Sequence, residues 1–229
     1  MARRSLFGSI LGVHPSLAPS PLIYSRRSLS LPAMPRRPVS SRLASPRAWV
    51  DPESLPDYLD ASDIAGNAPH RVKQLILNTL GAYGVGTPDC FAHTVGRRIR
   101  IVEVNYLADG RKTTAVVVAE VQAGQDMLNG AGTVHGGCLC YLIDNCASFP
   151  LVALGLQRNI NGVGVSQAMN VFFHAPASID THMRITSTSV TLGSRIMTSR
   201  CEVTDKDTGQ MIASALLSKM QPTAPPARL

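Results

Sequence analysis

Acidic side chains are absent from the first fifty residues of this 229-residue chain, and so is lysine. Eight arginines occupy that stretch (Arg3, Arg4, Arg26, Arg27, Arg36, Arg37, Arg42, Arg47), so the formal net charge of +7 belongs to the leader. From Asp51 onward fourteen bases face fifteen acids. A basic protein invites a nucleic-acid reading, and the near-neutral body excludes it. Paired cysteines are lacking too. The five cysteines form no Cys-x-x-Cys, because Cys138 and Cys140 stand one residue apart, so neither a disulfide framework nor a zinc site follows. No apolar run is free of groups costly in hydrocarbon: the best, 138–156, contains Asp144, Asn145 and Pro150, so no transmembrane segment is expected. There is no internal repeat. Aromatic residues make up only 5% of the chain, but 45% is apolar, enough for one globular domain of roughly 130 to 180 residues with a proper core.

The leader reads as an address. It is rich in arginine and serine, free of acid and punctuated by prolines, which matches a mitochondrial (matrix) transit peptide. At the other end Ala227-Arg228-Leu229, on a tail containing Pro222, Pro225 and Pro226, is similar to a peroxisomal tripeptide and makes peroxisomal or dual targeting the alternative. The expected organisation is a leader over 1–47, a linker with a short amphipathic helix over 48–88, one domain over 89–221 and a Pro-rich tail over 222–229.

Val72, Leu75, Ile76 and Leu80 recur at helical spacing between Pro69 and Tyr83. Strand chemistry follows at 98–106 and 113–121, with Asp109-Gly110 as the hairpin signal between them. The run 138–156 is too long for a strand and reads as a buried helix. Four more strands are expected at 163–173, 182–191, 195–204 and 211–220, separated by short turns that make the last strands antiparallel neighbours. One central helix can bury its surface only against the concave face of such a sheet, so the fold class is α+β, an antiparallel sheet wrapped around one long helix.

The informative block is 129–145. Gly136 and Gly137 stand where the helix begins, so their N–H groups lack intrahelical acceptors and point out at the positive end of the dipole. Glycine lets a substrate approach closely, and such a place suits a carbonyl oxygen gaining negative charge during acyl transfer. Asn129 and His135 stand beside it as further donors. Asp144 falls inside the apolar run, where burial would disfavour its charge and suit it to act as a general base on water. Eight residues of helix separate Gly136 from Asp144, about 12 Å at ~1.5 Å per residue. If both act, they meet only across two subunits whose helices run antiparallel about a two-fold axis, which implies an obligate dimer.

The residues Asn129, His135-Gly136-Gly137, Asp144-Asn145, Gly164-Val165-Ser166, Asn170, Pro176-Ala177, Gly193, Asp205-Lys206 and Thr208-Gly209 carry a resemblance. The chain resembles the hotdog-fold acyl-CoA thioesterases, nearest the phenylacetic-acid-pathway type, over about 111–221. The resemblance implies a hotdog fold, dimers or dimers of dimers (a homotetramer), and hydrolysis of acyl-CoA to free acid and coenzyme A with no cofactor and no metal. It implies that the Gly136 N–H, helped by Asn129 and His135, polarises the thioester carbonyl. Asp144 of the other subunit, with Ser166, would position or deprotonate water. Ser166, Ala168, Asn170 and Phe172 alternate, so one strand face could supply the hydroxyl and part of an acyl pocket. Gly137 and Arg195 fall where substrate is bound, Arg195 toward the phosphates of coenzyme A, with Arg184 and Arg200 weaker choices.

Two residues depart from the resemblance. Pro150, six residues past Asp144, should end or kink the helix, and His174 replaces a small or aromatic residue. Cys138 shares a helical face with His135, but no third group orients that histidine and a cysteine in an apolar helix is usually inert. The alternative function is a non-catalytic acyl-CoA-binding protein, a sensor or scaffold, which would need the helix N-terminus but no base.

Overall fold

The computed structural model describes residues 50–110 and 112–221. The leader over 1–47 and the tail with Ala227-Arg228-Leu229 lie outside the described residues. Among the described residues there are four α-helices: α1 (His70–Ala82), α2 (His93–Gly96), α3 (Gly136–Cys146) and α4 (Phe149–Arg158). Six strands accompany them: β1 (Arg100–Asp109), β2 (Lys112–Gln122), β3 (Val165–Phe173), β4 (His182–Leu192), β5 (Ile196–Asp205) and β6 (Met211–Met220). All sequence-predicted elements exist within a few residues of their expected bounds. The β1–β2 hairpin turns at Gly110, whose φ of 55° lies in the left-handed region that glycine enters without a Cβ penalty.

The strands form one antiparallel sheet in the order β1-β2-β4-β5-β6-β3. The last three strands, β4, β5 and β6, are antiparallel neighbours as their short turns imply, but β3 does not lie beside β4. β3 pairs with β6 at the far edge, and β4 returns to pair with β2. The physical reason is the helix pair itself: α3 and α4 lie across the sheet, so the strand that leaves α4 starts on the opposite edge from β2.

Period-two alternation sends one face of each strand inward. Met183, Ile185, Ser187 and Ser189 of β4 are buried, as are Met197, Ser199, Cys201 and Val203 of β5, while Thr186, Arg200 and Glu202 face outward. Three of the inward residues are serines, small enough for the helices to approach closely. α3 and α4 fill the concavity with Leu142, Ile143, Phe149, Leu151 and Val152, all fully buried. The stretch Gly136–Arg158 is long and apolar enough to cross a membrane, yet 72% of its most apolar 18-residue window is buried inside the fold, so it is a core element.

The central helix is interrupted as Pro150 requires. Pro150 has no N–H and takes a place in the first turn of α4, where no intrahelical donor is needed. The break at Ala147 and Ser148 is held by side chains: Ser199 Oγ donates to the Ala147 carbonyl at 2.6 Å, and Ser148 Oγ donates to the Asp144 carbonyl at 2.8 Å.

Residues 51–66, which read as a linker, are packed. Ala61 and Ile64 are buried, and Ala65 runs parallel to β1, donating to Val102 O and accepting from Val104 N. Asn67 extends this along the edge, its side chain bonding both the N–H and the carbonyl of Tyr106. The β1 edge is therefore covered. The β3 edge has no neighbour among the described residues and exposes Val165, Phe172 and Phe173.

Ser199→Ala should destabilise the fold by about 1 to 3 kcal/mol, because it leaves the buried Ala147 carbonyl without its donor. Urea unfolding of wild type and variant measures this, and an unchanged midpoint would show that the helix break does not depend on the bond.

Candidate active site

His135 caps α3 with extended backbone (φ −63°, ψ 134°), and its Nδ1 accepts the Gly137 N–H at 2.9 Å. An accepting Nδ1 leaves the ring proton on Nε2. Gly137 is thus not a free donor, which corrects its assignment to the substrate through that group. The Gly136 N–H has no acceptor among the described residues. It opens toward a cleft of about 330 Å³ lined by Thr133, Leu139, Phe173, His174 and Pro176. A Cβ on Gly136 would lie 3.3 Å from the Phe173 ring, so glycine keeps this approach open.

Asn129 does not point at this cleft. Its Oδ1 accepts the N–H groups of Ala131 and Thr133, and its Nδ2 donates to Thr133 Oγ1, so it closes the 129–133 turn. In the single chain it shapes the loop before His135. Thr133 beside it could have signalled this, since an Asn four residues from a Thr across glycines closes turns.

Eight residues along α3, Asp144 Oδ1 accepts a hydrogen bond of 2.5 Å from Ser166 Oγ. The two line a cleft of about 430 Å³ with Phe91, Cys140, Tyr141 and Met169. Asp144 is half-buried in the single chain, not enclosed as expected from its apolar neighbours, because its side of α3 faces the open β3 edge.

The expected strand face for Ser166 is corrected by a bulge. Ser166 pairs with Lys219 and Ala168 with Ser218, with the register shifting between them. Directly opposed residues share a face. Ser166 therefore lies inward with buried Lys219, whereas Ala168, Asn170 and Phe172 lie outward with Ser218, Leu216 and Ser214. Bulges re-aim side chains beside functional sites, and Met169, not Ala168's outward neighbours, continues the inner face.

Four residues of this region were not found from sequence. Phe91 is 82% exposed and stands edge-on to Tyr141 with ring centroids 5.6 Å apart. Behind Asp144 and Ser166 a second cavity of about 270 Å³ holds Tyr83, Ser148 and Lys219. Lys219 is 4% exposed, and its Nζ donates to Ser148 Oγ at 2.6 Å while lying 5.3 Å from the centre of the Tyr83 ring. Burial lowers its ammonium to about 8, against the opposing pull of the Asp144 charge. Burial also raises the Tyr83 phenol far above its ordinary range, and Asp144 raises it further. The Tyr83 hydroxyl has no partner among the described residues.

Arg195 is exposed in the β4–β5 turn, its carbonyl accepting from Gln221 N. It lies at the same end of the sheet as Ser166 but two strands away, roughly 10 Å in the hydrogen-bonding direction, and lines neither cleft. Arg184 is engaged with Glu103 at 3.2 Å and Glu120 at 3.1 Å, and Arg200 points outward. His174 Nε2 lies 2.8 Å from Ser214 Oγ, bridging the end of β3 to β6. Among the described residues no group of three or more His, Cys, Asp or Glu side chains is placed to hold a metal ion.

Residues 131–212 match the family model of the thioesterase superfamily. The fold is a hotdog fold, and the part of it over 131–212 is similar to the thioesterase superfamily. Human acyl-coenzyme A thioesterase 13 is 29% identical over 103 residues, 45% of this chain and 71% of that protein, and the mouse protein is 28% identical over the same shares. The crystal structure of zebra fish thioesterase superfamily member 2 has the same fold, with a TM-score of 0.50 at 21% identity, covering 63% of this chain and 96% of that one. Phe91 and Tyr83 lie before the matched residues, so part of the cleft wall comes from the preceding segment.

The cysteines of the domain are inert where they are buried. Burial, and to a lesser extent the Asp126 charge, pushes the Cys138 thiol up to about 11, and burial raises Cys201 to about 12 and Cys146 further. A nucleophilic role needs a thiolate, and Cys138 has none near neutral pH. A disulfide thiol reagent at pH 7.5 should label exposed Cys90 within minutes and reach Cys146 and Cys201 only after denaturation. Fast native labelling of Cys146 or Cys201 would contradict this packing.

Proposed function

We propose that the protein hydrolyses acyl-CoA thioesters to a carboxylic acid and coenzyme A. The observation that carries this reading is the pair of half-sites on one face of α3: a Gly136 N–H without an acceptor at the helix start, and the Ser166-bonded Asp144 carboxylate two turns on. One carbonyl cannot reach both within one chain, since the helix separates them by about 12 Å. Two copies joined along their open β3 edges, with α3 helices antiparallel, would bring Gly136 of one to Asp144 of the other. The apolar Val165, Phe172 and Phe173 on that edge support such pairing.

In this reading the thioester oxygen accepts the Gly136 N–H at the positive end of the α3 dipole, with His135 Nε2–H beside it. Water, held by Ser166 and Asp144 of the other subunit, gives its proton to the carboxylate as its oxygen bonds to the carbonyl carbon. The tetrahedral oxyanion is held at Gly136 until the carbon–sulfur bond breaks. The thiolate then takes a proton, released as Asp144 returns to its ionised form. Water is the only co-reactant and no cofactor is needed. Arg195, at the Ser166 end of the sheet, has no ion-pair partner among the described residues and is suited to a phosphate of coenzyme A.

Asp144→Asn should lower kcat for coenzyme A release roughly 10²- to 10⁴-fold, the range for loss of a general base, while Ser166→Ala should cost less. Mixing Asp144→Asn with Gly136→Val subunits should restore activity, because half of the mixed dimers' sites combine an intact Gly136 with an intact Asp144. Acyl-CoA binding without coenzyme A release by the wild type would instead support a binding protein, and undiminished activity in a monomer would remove the two-subunit site.

We further propose that the Arg-rich leader directs the protein to the mitochondrial matrix. A protein carrying a fluorescent tag at its C-terminus should co-localise with mitochondria, and an N-terminally tagged one reports whether Ala227-Arg228-Leu229 directs it to peroxisomes.

A further inference from the structure

The cavity behind Asp144 holds charge that the proposed hydrolysis does not use. Lys219 is directly opposite Ser166 in the β3–β6 register, on the inner face of the sheet. Its ammonium is nearly enclosed, donates to Ser148 Oγ at 2.6 Å, and Ser148 Oγ in turn donates to the Asp144 carbonyl at 2.8 Å. Ser166 Oγ closes the loop at the Asp144 carboxylate. An ammonium carries three donors, yet among the described residues only Ser148 accepts one, and its other neighbour is the face of Tyr83. A lysine so placed costs the fold its hydration, a cost that a purely apolar residue in the same row would avoid. Among the described residues the titratable groups around it are Asp144 from α3 and Tyr83 following α1. Its sheet neighbours, Met197 on β5 and Ser166 on β3, bring no charge.

We propose that Lys219 is a positioning residue for Asp144: its buried ammonium favours the ionised carboxylate, and its bond to Ser148 fixes the last turn of α3 that presents it. The proposal rests on the hydrolytic reading for its kinetic consequence but not for its electrostatic one. The coupling is reciprocal. The Asp144 charge works to hold Lys219 protonated against burial, with the ammonium at about 8, and an attraction between two charges acts on both partners. Removing the lysine therefore moves the carboxyl titration upward, and removing the carboxylate moves the lysine titration downward.

The experiment uses the full chain. In Lys219→Met, kcat should fall about tenfold or more with KM little changed, and the acid limb of kcat should move to higher pH. Lys219→Arg, which keeps the charge, should recover part of both. A packing role alone would lower the melting temperature and leave the acid limb in place. The coupling is also read without turnover, from the carbon-13 titration of the Asp144 carboxyl, which should rise by about half a pH unit or more in Lys219→Met. If that variant does not fold, the Lys219 side-chain resonance in Asp144→Asn answers instead, and its midpoint should fall below its wild-type value. Unmoved midpoints in these titrations overturn the proposal. A wild type that releases no coenzyme A but shows the coupled titrations overturns the hydrolytic reading and leaves this one standing.

Discussion

Residues 136–158 are apolar on nearly every side, and two short helices of that kind cannot rest on a flat sheet with one face in water. They have to be enclosed, and six antiparallel strands curving around them are what the chain supplies. The strand order follows from this. α3 and α4 cross the concavity, so β3 emerges on the edge opposite β2 and the chain must return to place β4 beside β2. Close approach also selects the sheet's inner residues. Ser187, Ser189 and Ser199 are fully or almost fully buried, and each hydroxyl is occupied: Ser199 by the Ala147 carbonyl, Ser189 by the Ala115 N–H, Ser187 by the Cys201 sulfur. Small polar residues are tolerated there because every one is satisfied.

Enclosing the helix leaves its two chemically useful places on its one uncovered side. The α3 N-terminus offers an unbonded N–H at Gly136, and two turns later Asp144 emerges beside the unpaired edge strand. The bulge at Ser166 turns one hydroxyl inward to meet the carboxylate, whereas regular alternation continued from Met169 would have sent it outward. The same wall separates a cleft lined by Phe91, Tyr141 and Met169 from a smaller cavity lined by Tyr83, Ser148 and Lys219. The second holds the Lys219 ammonium, which Asp144 works to keep protonated.

The elements were legible in the sequence because each carries its own periodicity, and β6 falls at its expected bounds to the residue. The helix break was legible through Pro150, whose missing N–H has only one comfortable place. What periodicity does not contain is the pairing of distant strands. The position of β3, and with it the Ser166–Lys219 pair, depends on where α4 ends relative to the sheet. Lys219 was missed for the same reason: in Leu217-Ser218-Lys219-Met220 it reads as a solvated strand end, and only the register reveals it as inward. Asn129 was placed at the site by resemblance, and the local turn chemistry of 129–133 accounts for its bonds in the single chain. Tyr83 and Phe91 come from a segment that reads as helix end and loop, with no pattern to tie either to Asp144.

Charge is distributed on the same logic. The near-neutral domain spends several of its bases on its own acids: Arg71 on Glu53, Arg98 on Asp126, Arg184 on Glu103 and Glu120, Lys206 on Glu120. Exposed pairs of this kind add little stability, but they leave few cations on the outer face of β1, β2 and β4 to attract a polyanion. Around the candidate site the balance differs. Arg195 has no ion-pair partner among the described residues and stands at the Ser166 end of the sheet, and Lys219 faces Asp144 without touching another acid. A cation kept free at the surface suits a mobile anionic ligand. A cation kept buried beside a carboxylate acts on the protein's own charge.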